Sequence, residues 1–293
     1  MTDPGPELVT SDTLAGWPLP APGSDKEARG RVLVVGGSRE TSGAVVLAGE
    51  AALRAGGGKL QIGTAESAAP SVAVGVPESL VLPLPETAEG RLSTAGADRI
   101  VETAEGCDVA LLGPGLLDVE ASVALMAGVL PRLRNPVVID AVASAYLTEH
   151  PDGLHHLDGR CVVTVNPTEL SRILDRDEDE VSADPVGAAV DAARRLRAVV
   201  LCGGSEKGVA TPDGSSWLIR VGGPGLGISG SGDVQSGIVA GLLARGAEPA
   251  QAAVWGGYLH GRAGEVLAVS VGAVGFLARE LPVQVPRLLS ELS

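Results

Sequence analysis

The chain has 293 residues, 45% of them hydrophobic, with a mean hydropathy of +0.25. That is enough for a substantial α/β core, but with 2% aromatics and 41 glycines the core must be built from Ala, Val, Leu and Ile. A net charge of −14 excludes nucleic acid and anionic membrane surfaces as natural partners, while three cysteines (Cys107, Cys161, Cys202) without CxxC spacing fit a reducing, cytoplasmic location.

Residues 1–30 are rich in Pro, Gly and charge and read as an irregular lead-in. Met1-Thr2-Asp3-Pro4 has neither the basic start nor the apolar run of a signal peptide, and no stretch reads as a membrane span. Regular structure begins with the apolar strand Arg31–Val35. The loop Gly36-Gly37-Ser38 leads to an almost wholly apolar helix from Gly43 to Ala55, which must be buried on more than one side. Lys59–Gly63 is the next strand. Asp108–Leu112 follows, then Gly113-Pro114-Gly115 and a helix near Glu120–Leu133. Pro136–Asp140, Cys161–Val165 and Ala198–Cys202 are further apolar strands, the last preceded by a helix around Asp184–Arg197. Gly208–Thr211 and Ser216–Arg220 flank the turn Pro212-Asp213-Gly214, the pattern of an antiparallel hairpin at a sheet edge. Apolar strands alternating with helices predict a mostly parallel sheet covered on both faces, in a single domain over 1–293. Ligands of such sheets bind at the carboxyl ends of the strands, where the Gly-rich and acidic features of this chain fall.

The most informative stretch is Gly227 to Gly237, where Gly230-Ser231-Gly232-Asp233 opens an apolar helix carrying Val234, Ile238 and Leu242. Backbone N–H groups at Gly230, Ser231 and Gly232, uncovered by large side chains, suit phosphate oxygens. Asp233 in that turn either favours the helix dipole or accepts a proton from a hydroxyl attacking phosphorus. Asn166-Pro167-Thr168-Glu169 follows a strand and opens a helix. It reads equally as a capping box and as a site where Glu169 holds, through water, the Mg²⁺ of a nucleotide. Asp140 closes its strand in the same layer and is open to either role. The turn Gly203-Gly204-Ser205, with Lys207, offers phosphate donors or else an ordinary solvated loop. His260, on a helix of small residues, reads as a packed, satisfied histidine, and His155-His156 as a solvated pair rather than a metal site. GxGxxG and the P-loop are both absent, which disfavours a Rossmann oxidoreductase and a Walker-type NTPase.

Taken in order, several pieces resemble the ADP- or ATP-dependent NAD(P)H-hydrate dehydratases of the ribokinase-like superfamily. They are Val32–Gly37 with Gly43–Ala48, Ala51–Gly56, Lys59–Thr64, Gly113–Gly115, Gly230–Asp233 and Tyr258–Gly264. The resemblance implies a three-layer α/β/α fold. The implied reaction phosphorylates the hydroxyl of a hydrated nicotinamide ring with ADP or ATP and then eliminates phosphate. It further implies that Ala44, Gly115 and Asn166 line the substrate site, that Gly232 touches the nucleotide, that Asp233 is the base, and that the chain forms a homotetramer. Two departures stand out. Asn166 replaces the family's substrate-facing histidine, giving an Asn-x-x-Glu pattern like that of sugar and vitamin kinases. Cys202 stands where the family carries a phosphate-facing lysine, which predicts weak nucleotide binding unless Lys207 compensates. A small-molecule kinase and a non-catalytic nucleotide-binding relative are the rival readings.

Overall fold

The computed structural model describes residues 5–292; the expectation made on Met1-Thr2-Asp3-Pro4 lies outside the described residues. Ten strands form one sheet. They are β1 (Glu7–Leu8), β2 (Arg31–Val35), β3 (Lys59–Ala65), β4 (Ser79–Leu84), β5 (Val109–Leu112), β6 (Val137–Asp140), β7 (Cys161–Val165), β8 (Val199–Cys202), β9 (Lys207–Ala210) and β10 (Ser216–Ile219). Their order is β1-β10-β9-β8-β7-β6-β5-β2-β3-β4. From β8 to β4 every pairing is parallel, and β9 and β10 add the antiparallel hairpin.

Alternate residues of β2 divide between two cores. Val32 and Val34 face the helices Gly43–Arg54, Ser231–Ala244, Pro249–Ser270 and Leu281–Leu292; Leu33 and Val35 face the helices on the other side, Ala97–Glu105, Val119–Val129 and Pro185–Leu196 among them. Apolar residues at successive positions are what a strand buried on both faces requires. The fold is thus a three-layer α/β/α sandwich with a mostly parallel central sheet.

Small residues bring two helices unusually close. A Cβ on Gly237 or Gly241 would stand 2.2 Å from the carbonyl oxygens of Ala48 and Ala52 respectively. The helix that starts at Ser231 is therefore seated against the Gly43–Arg54 helix backbone to backbone, which fixes where its N-terminus points.

The strand β4 and the helices Ala69–Gly75, Ala97–Glu105 and Leu281–Leu292 have no counterpart in the sequence reading, and two further segments differ from it. The helix expected near Glu120–Leu133 runs Val119–Val129, capped by the Asp118 side chain, and tightens to a 3₁₀ turn over Leu130–Arg132, where Pro131 lacks the N–H to continue it. The lead-in is not merely irregular. Glu7–Leu8 pairs with β10, Thr10 caps the helix Ser11–Ala15, and Trp17 stacks on Trp217 with centroids 5.6 Å apart. The Trp17 carbonyl accepts from Trp255 Nε1 at 2.9 Å and Gln251 Nε2 at 3.1 Å, fastening the segment to the Pro249–Ser270 helix.

Candidate active site

A cavity of about 850 Å³ opens at the carboxyl ends of β6, β7 and β8, beneath the N-terminus of the Ser231–Ala244 helix. Gly230 enters that helix with φ +87°, and a Cβ there would lie 2.4 Å from Leu47 Cδ1, so the turn requires glycine twice over. At Gly232 a Cβ would meet nothing within 4 Å: the missing side chain leaves open space on the cavity side. Ser231 N–H bonds the Ile228 carbonyl and Val234 N–H that of Gly230, while the amides of Gly232 and Asp233 have no backbone acceptor. Among the described residues these two donors are free, and at the positive end of a 14-residue helix such donors can receive phosphate oxygens.

Asp233 lies in this first turn and lines the cavity. Burial, aided by the nearby Glu169 charge, pushes its carboxyl up to about 6. It is thus an ionised base at neutral pH that is basic enough to take a proton from an alcohol as the oxygen attacks phosphorus. Asp140, the last residue of β6, is buried in the wall. Thr164 Oγ1 lies 2.7 Å from its Oδ1 and Ser236 Oγ 3.0 Å from its Oδ2. Burial first, then the charge of Asp233, raises its carboxyl well above the usual carboxylate range.

Lys207 is not a solvated loop lysine. It begins β9 and is 4% exposed, with its ammonium beside Gly222 and its stem against Gly257. Among the described residues no hydrogen bond or ion pair reaches it. Glu265, the carboxylate that acts on it from a distance, accepts from the Gly222 amide and pairs with Arg262. Burial lowers its ammonium to about 8. Lys207 lies on the Leu201–Val209 face of the sheet and Cys202 on the other, so the lysine approaches the cavity from the side opposite position 202. Cys202 itself is fully buried, its thiol pushed up to about 12 by burial.

The capping reading of Asn166 and Glu169 is realised: Asn166 Oδ1 accepts from Glu169 N–H at 2.8 Å, and Glu169 Oε2 from Asn166 N–H at 2.9 Å. Both also line the cavity, so cap and site coincide, and burial raises the Glu169 carboxyl. No group of three metal-binding side chains occurs among the described residues. His260 is packed as expected but only half satisfied: Nε2 sits 2.9 Å from Ser231 Oγ, and buried Nδ1 has no partner. Burial, reinforced by the Lys207 charge, depresses it to about 3, so the ring is neutral. His155 Nε2 lies 3.2 Å from the Arg195 carbonyl oxygen.

Asn166, Glu169, Gly203, Gly204, Ser205, Lys207, Ser231, Gly232 and Asp233 therefore share one cavity. Ala44 and Gly115 meet each other instead. A Cβ on Gly115 (φ +71°) would be 2.8 Å from that of Ala44, and the Thr41 hydroxyl donates to the Gly115 carbonyl at 2.6 Å. Neither lines the cavity; Leu47, on the same helix as Ala44, reaches Gly230 at the entry to the Ser231–Ala244 helix. Sequence reasoning missed Thr164, Ser236 and Gln235. The last is buried in the wall, its Oε1 without a partner. The available signal was polar residues two and three places after Asp233 on a helix otherwise apolar or small.

Comparison with known proteins gives the family and the fold. A family described as NAD(P)H-hydrate dehydratase matches residues 32–287. The ADP-dependent (S)-NAD(P)H-hydrate dehydratase of Xanthomonas campestris pv. campestris is 44% identical over 292 residues, covering 100% of this chain and 99% of that enzyme. The chain spans about half the length of the bifunctional NAD(P)H-hydrate repair enzymes that it also matches. The ADP/ATP-dependent NAD(P)H-hydrate dehydratase of Bacillus subtilis, co-crystallised with ATP and Mg²⁺, superposes with a TM-score of 0.81 at 26% identity, over 99% of both chains. A ribokinase-like superfamily protein of Enterococcus faecalis shares the fold, with a TM-score of 0.81 at 22% identity over 99% of this chain and 97% of that one. With its full-length relative, its matched family and its ribokinase-like sandwich in agreement, the chain belongs to the NAD(P)H-hydrate dehydratase family.

Proposed function

We propose that this protein, acting as one ribokinase-like domain over 1–293, restores hydrated NADH and NADPH to the reduced nucleotides at the expense of ADP or ATP. Ionised Asp233 takes the proton of the ring hydroxyl as its oxygen attacks the terminal phosphorus. The shortened nucleotide leaves with the electron pair of the broken P–O bond. The ring C–O bond then breaks, phosphate departs with its electron pair, a proton is lost from the neighbouring ring carbon, and the double bond is restored. The turn Gly230-Ser231-Gly232, through the free amides of Gly232 and Asp233, together with Gly203-Gly204-Ser205 and Lys207, holds the phosphates. Asn166, Ala44 and Gly115 bound the substrate. Glu169 is the residue that would hold, through water, a Mg²⁺ supplying charge neutralisation on the phosphates. One observation carries the reading: Asp233, an acid of raised basicity, sits in the glycine turn at a helix N-terminus at the wall of a nucleotide-sized cavity, with a buried lysine, unpaired among the described residues, in the same wall.

A second reading, kinase action without elimination, is favoured by Asn166 and Glu169 lining the cavity as an Asn-x-x-Glu pair. Incubation with hydrated NADH and ADP separates the two: recovered reduced-nicotinamide absorbance supports dehydration, and an accumulating phosphorylated product supports a kinase. We place the protein in the cytoplasm; no described helix is long and apolar enough to cross a membrane. We also propose a homotetramer, supported by the exposed apolar residues Val269, Val271, Val274, Leu277 and Val283 gathered near the C-terminus. A monomer in light scattering at micromolar concentration contradicts it.

A further inference from the structure

Asp140 has no part in the reaction as drawn above, yet its surroundings are tightly constrained. It ends β6 directly beneath the catalytic turn, and the next residue, Ala141, is a non-glycine at φ +51° that lines the cavity. Such backbone strain persists only where the surrounding structure enforces it. A Cβ on Gly113 would lie 1.9 Å from the Asp140 carbonyl oxygen, so the neighbouring strand end is pressed against it. Two hydroxyls from two other elements hold the carboxyl. Thr164, on β7, lies 2.7 Å from Oδ1 and 3.3 Å from the Ile139 carbonyl oxygen. Ser236, on the catalytic helix, lies 3.0 Å from Oδ2 and 3.1 Å from the Asp233 carbonyl oxygen.

These four oxygen–oxygen contacts cannot all be hydrogen bonds if Asp140 is ionised. A carboxylate only accepts, and each hydroxyl has one proton to give, so two protons must serve four contacts. One proton on Oδ1 changes the count. Asp140 then donates to Thr164 Oγ1, Thr164 donates to the Ile139 carbonyl, and Ser236 donates to Oδ2 or to the Asp233 carbonyl. Three of the four contacts then carry a hydrogen bond instead of two, and the chain of donors runs from Asp140 on β6 to Thr164 on β7 and back to the Ile139 carbonyl of β6. Electrostatics agree. The charged groups acting on Asp140 are Asp233, from the catalytic helix, and Glu169, from the Pro167–Leu174 helix, and both are acids. A third negative charge in a buried wall meant to receive phosphates is opposed by both neighbours and by the ligand.

We propose that Asp140 is a positioning residue that works as a neutral carboxylic acid, clamping the turn that carries Asp233 to the ends of β6 and β7 through Ser236 and Thr164. This rests on Asp233 being the base. In the neutral form the clamp ties three elements together without placing a charge beside the nucleotide phosphates. The protein side chain that reproduces a protonated aspartate is asparagine: its NH₂ donates to Thr164 Oγ1 and its carbonyl accepts from Ser236 Oγ.

The test compares Asp140→Asn and Asp140→Ala in the purified full-length protein, with hydrated NADH, ADP and Mg²⁺, from pH 5.5 to 9. D140A should lower kcat at least tenfold with a smaller change in KM, because the turn is displaced rather than the ligand lost. D140N should recover most of that loss and leave the acidic limb of kcat/KM in place. D140N as impaired as D140A overturns the proposal, and so does an acidic limb moved down by about one pH unit in D140N, since either shows a working negative charge at 140. D140A with wild-type kcat overturns it as well. Should D140A fail to fold, Ser236→Ala and Thr164→Val replace it, each cutting one arm of the clamp; wild-type kcat in both is the overturning result. An infrared difference spectrum, wild type minus D140N at pH 7, reads the acid without catalysis. The protonated carboxyl C=O stretch must be present, and a carboxylate band in its place refutes the claim. A wild-type protein that fails to restore NADH would reject the assigned reaction while leaving this spectrum to decide the state of Asp140.

Discussion

Replacing Lys207 with methionine should move stability and binding in opposite directions. The residue is 4% exposed, its ammonium meets no carboxylate at ion-pair distance among the described residues, and its ionisation is lowered from 10.5 to about 8, chiefly by burial. The charged form is therefore disfavoured in the folded protein by roughly 3 kcal/mol at neutral pH, taking about 1.4 kcal/mol per pH unit. Because the folded value lies below the unfolded one, this penalty is complete below pH 8 and disappears as pH rises towards 10.5. Methionine keeps most of the apolar stem against Gly257 and removes the charge. K207M without ligand should thus melt a few degrees higher than wild type at pH 7, with the difference shrinking above pH 8. Loss of a charge-assisted phosphate contact costs on the order of 1.5–3 kcal/mol, so ADP affinity should fall about tenfold to a hundredfold. Wild-type affinity should itself weaken above pH 8 as the lysine loses its proton. Thermal scans and calorimetric ADP titrations of the two proteins measure both effects. A less stable K207M with unchanged ADP affinity would refute the reasoning and make Lys207 a structural residue.

Three further outcomes follow from the site and its supports. Asp233→Asn should reduce turnover by about a hundredfold or more while melting like wild type, and in the wild type kcat/KM should decline below about pH 6 as the base becomes protonated; near-normal D233N turnover contradicts the assignment. Gly241→Ala should destabilise by about 1–3 kcal/mol or more, since the added methyl meets the Ala52 carbonyl oxygen at 2.2 Å with backbone on both sides; an unchanged melting temperature contradicts the packing argument. Glu169→Gln preserves the capping box and removes the charge, so it should leave stability nearly unchanged while raising the Mg²⁺ concentration for half-maximal activity about tenfold; an unaltered Mg²⁺ titration leaves Glu169 a cap alone.

Local sequence made some of this legible and concealed the rest for identifiable reasons. The parallel sheet could be read because β2, β5, β6, β7 and β8 are apolar at successive positions, which only burial on both faces explains. The glycine turn that brings Gly232 and Asp233 to the cavity could be read because its glycines precede an apolar helix directly. Lys207 could not: its neighbours Gly203 to Glu206 describe a loop, and its burial depends on strand pairing and on the missing side chains of Gly222 and Gly257. The lead-in looked irregular because its partners Trp217, Gln251 and Trp255 lie about 200 residues or more away. The same holds for Asp140, whose hydroxyl partner Ser236 is 96 residues distant and reads locally as one more small residue in a packed helix.

The central claim is tested most directly by mixing the protein with hydrated NADH, ADP and Mg²⁺ and following reduced-nicotinamide absorbance together with released AMP and phosphate. The account predicts recovery of NADH with one AMP and one phosphate per molecule restored, dependent on ADP or ATP and lost in D233N. Phosphorylated substrate accumulating without recovery of NADH, or recovery undiminished in D233N, would contradict it.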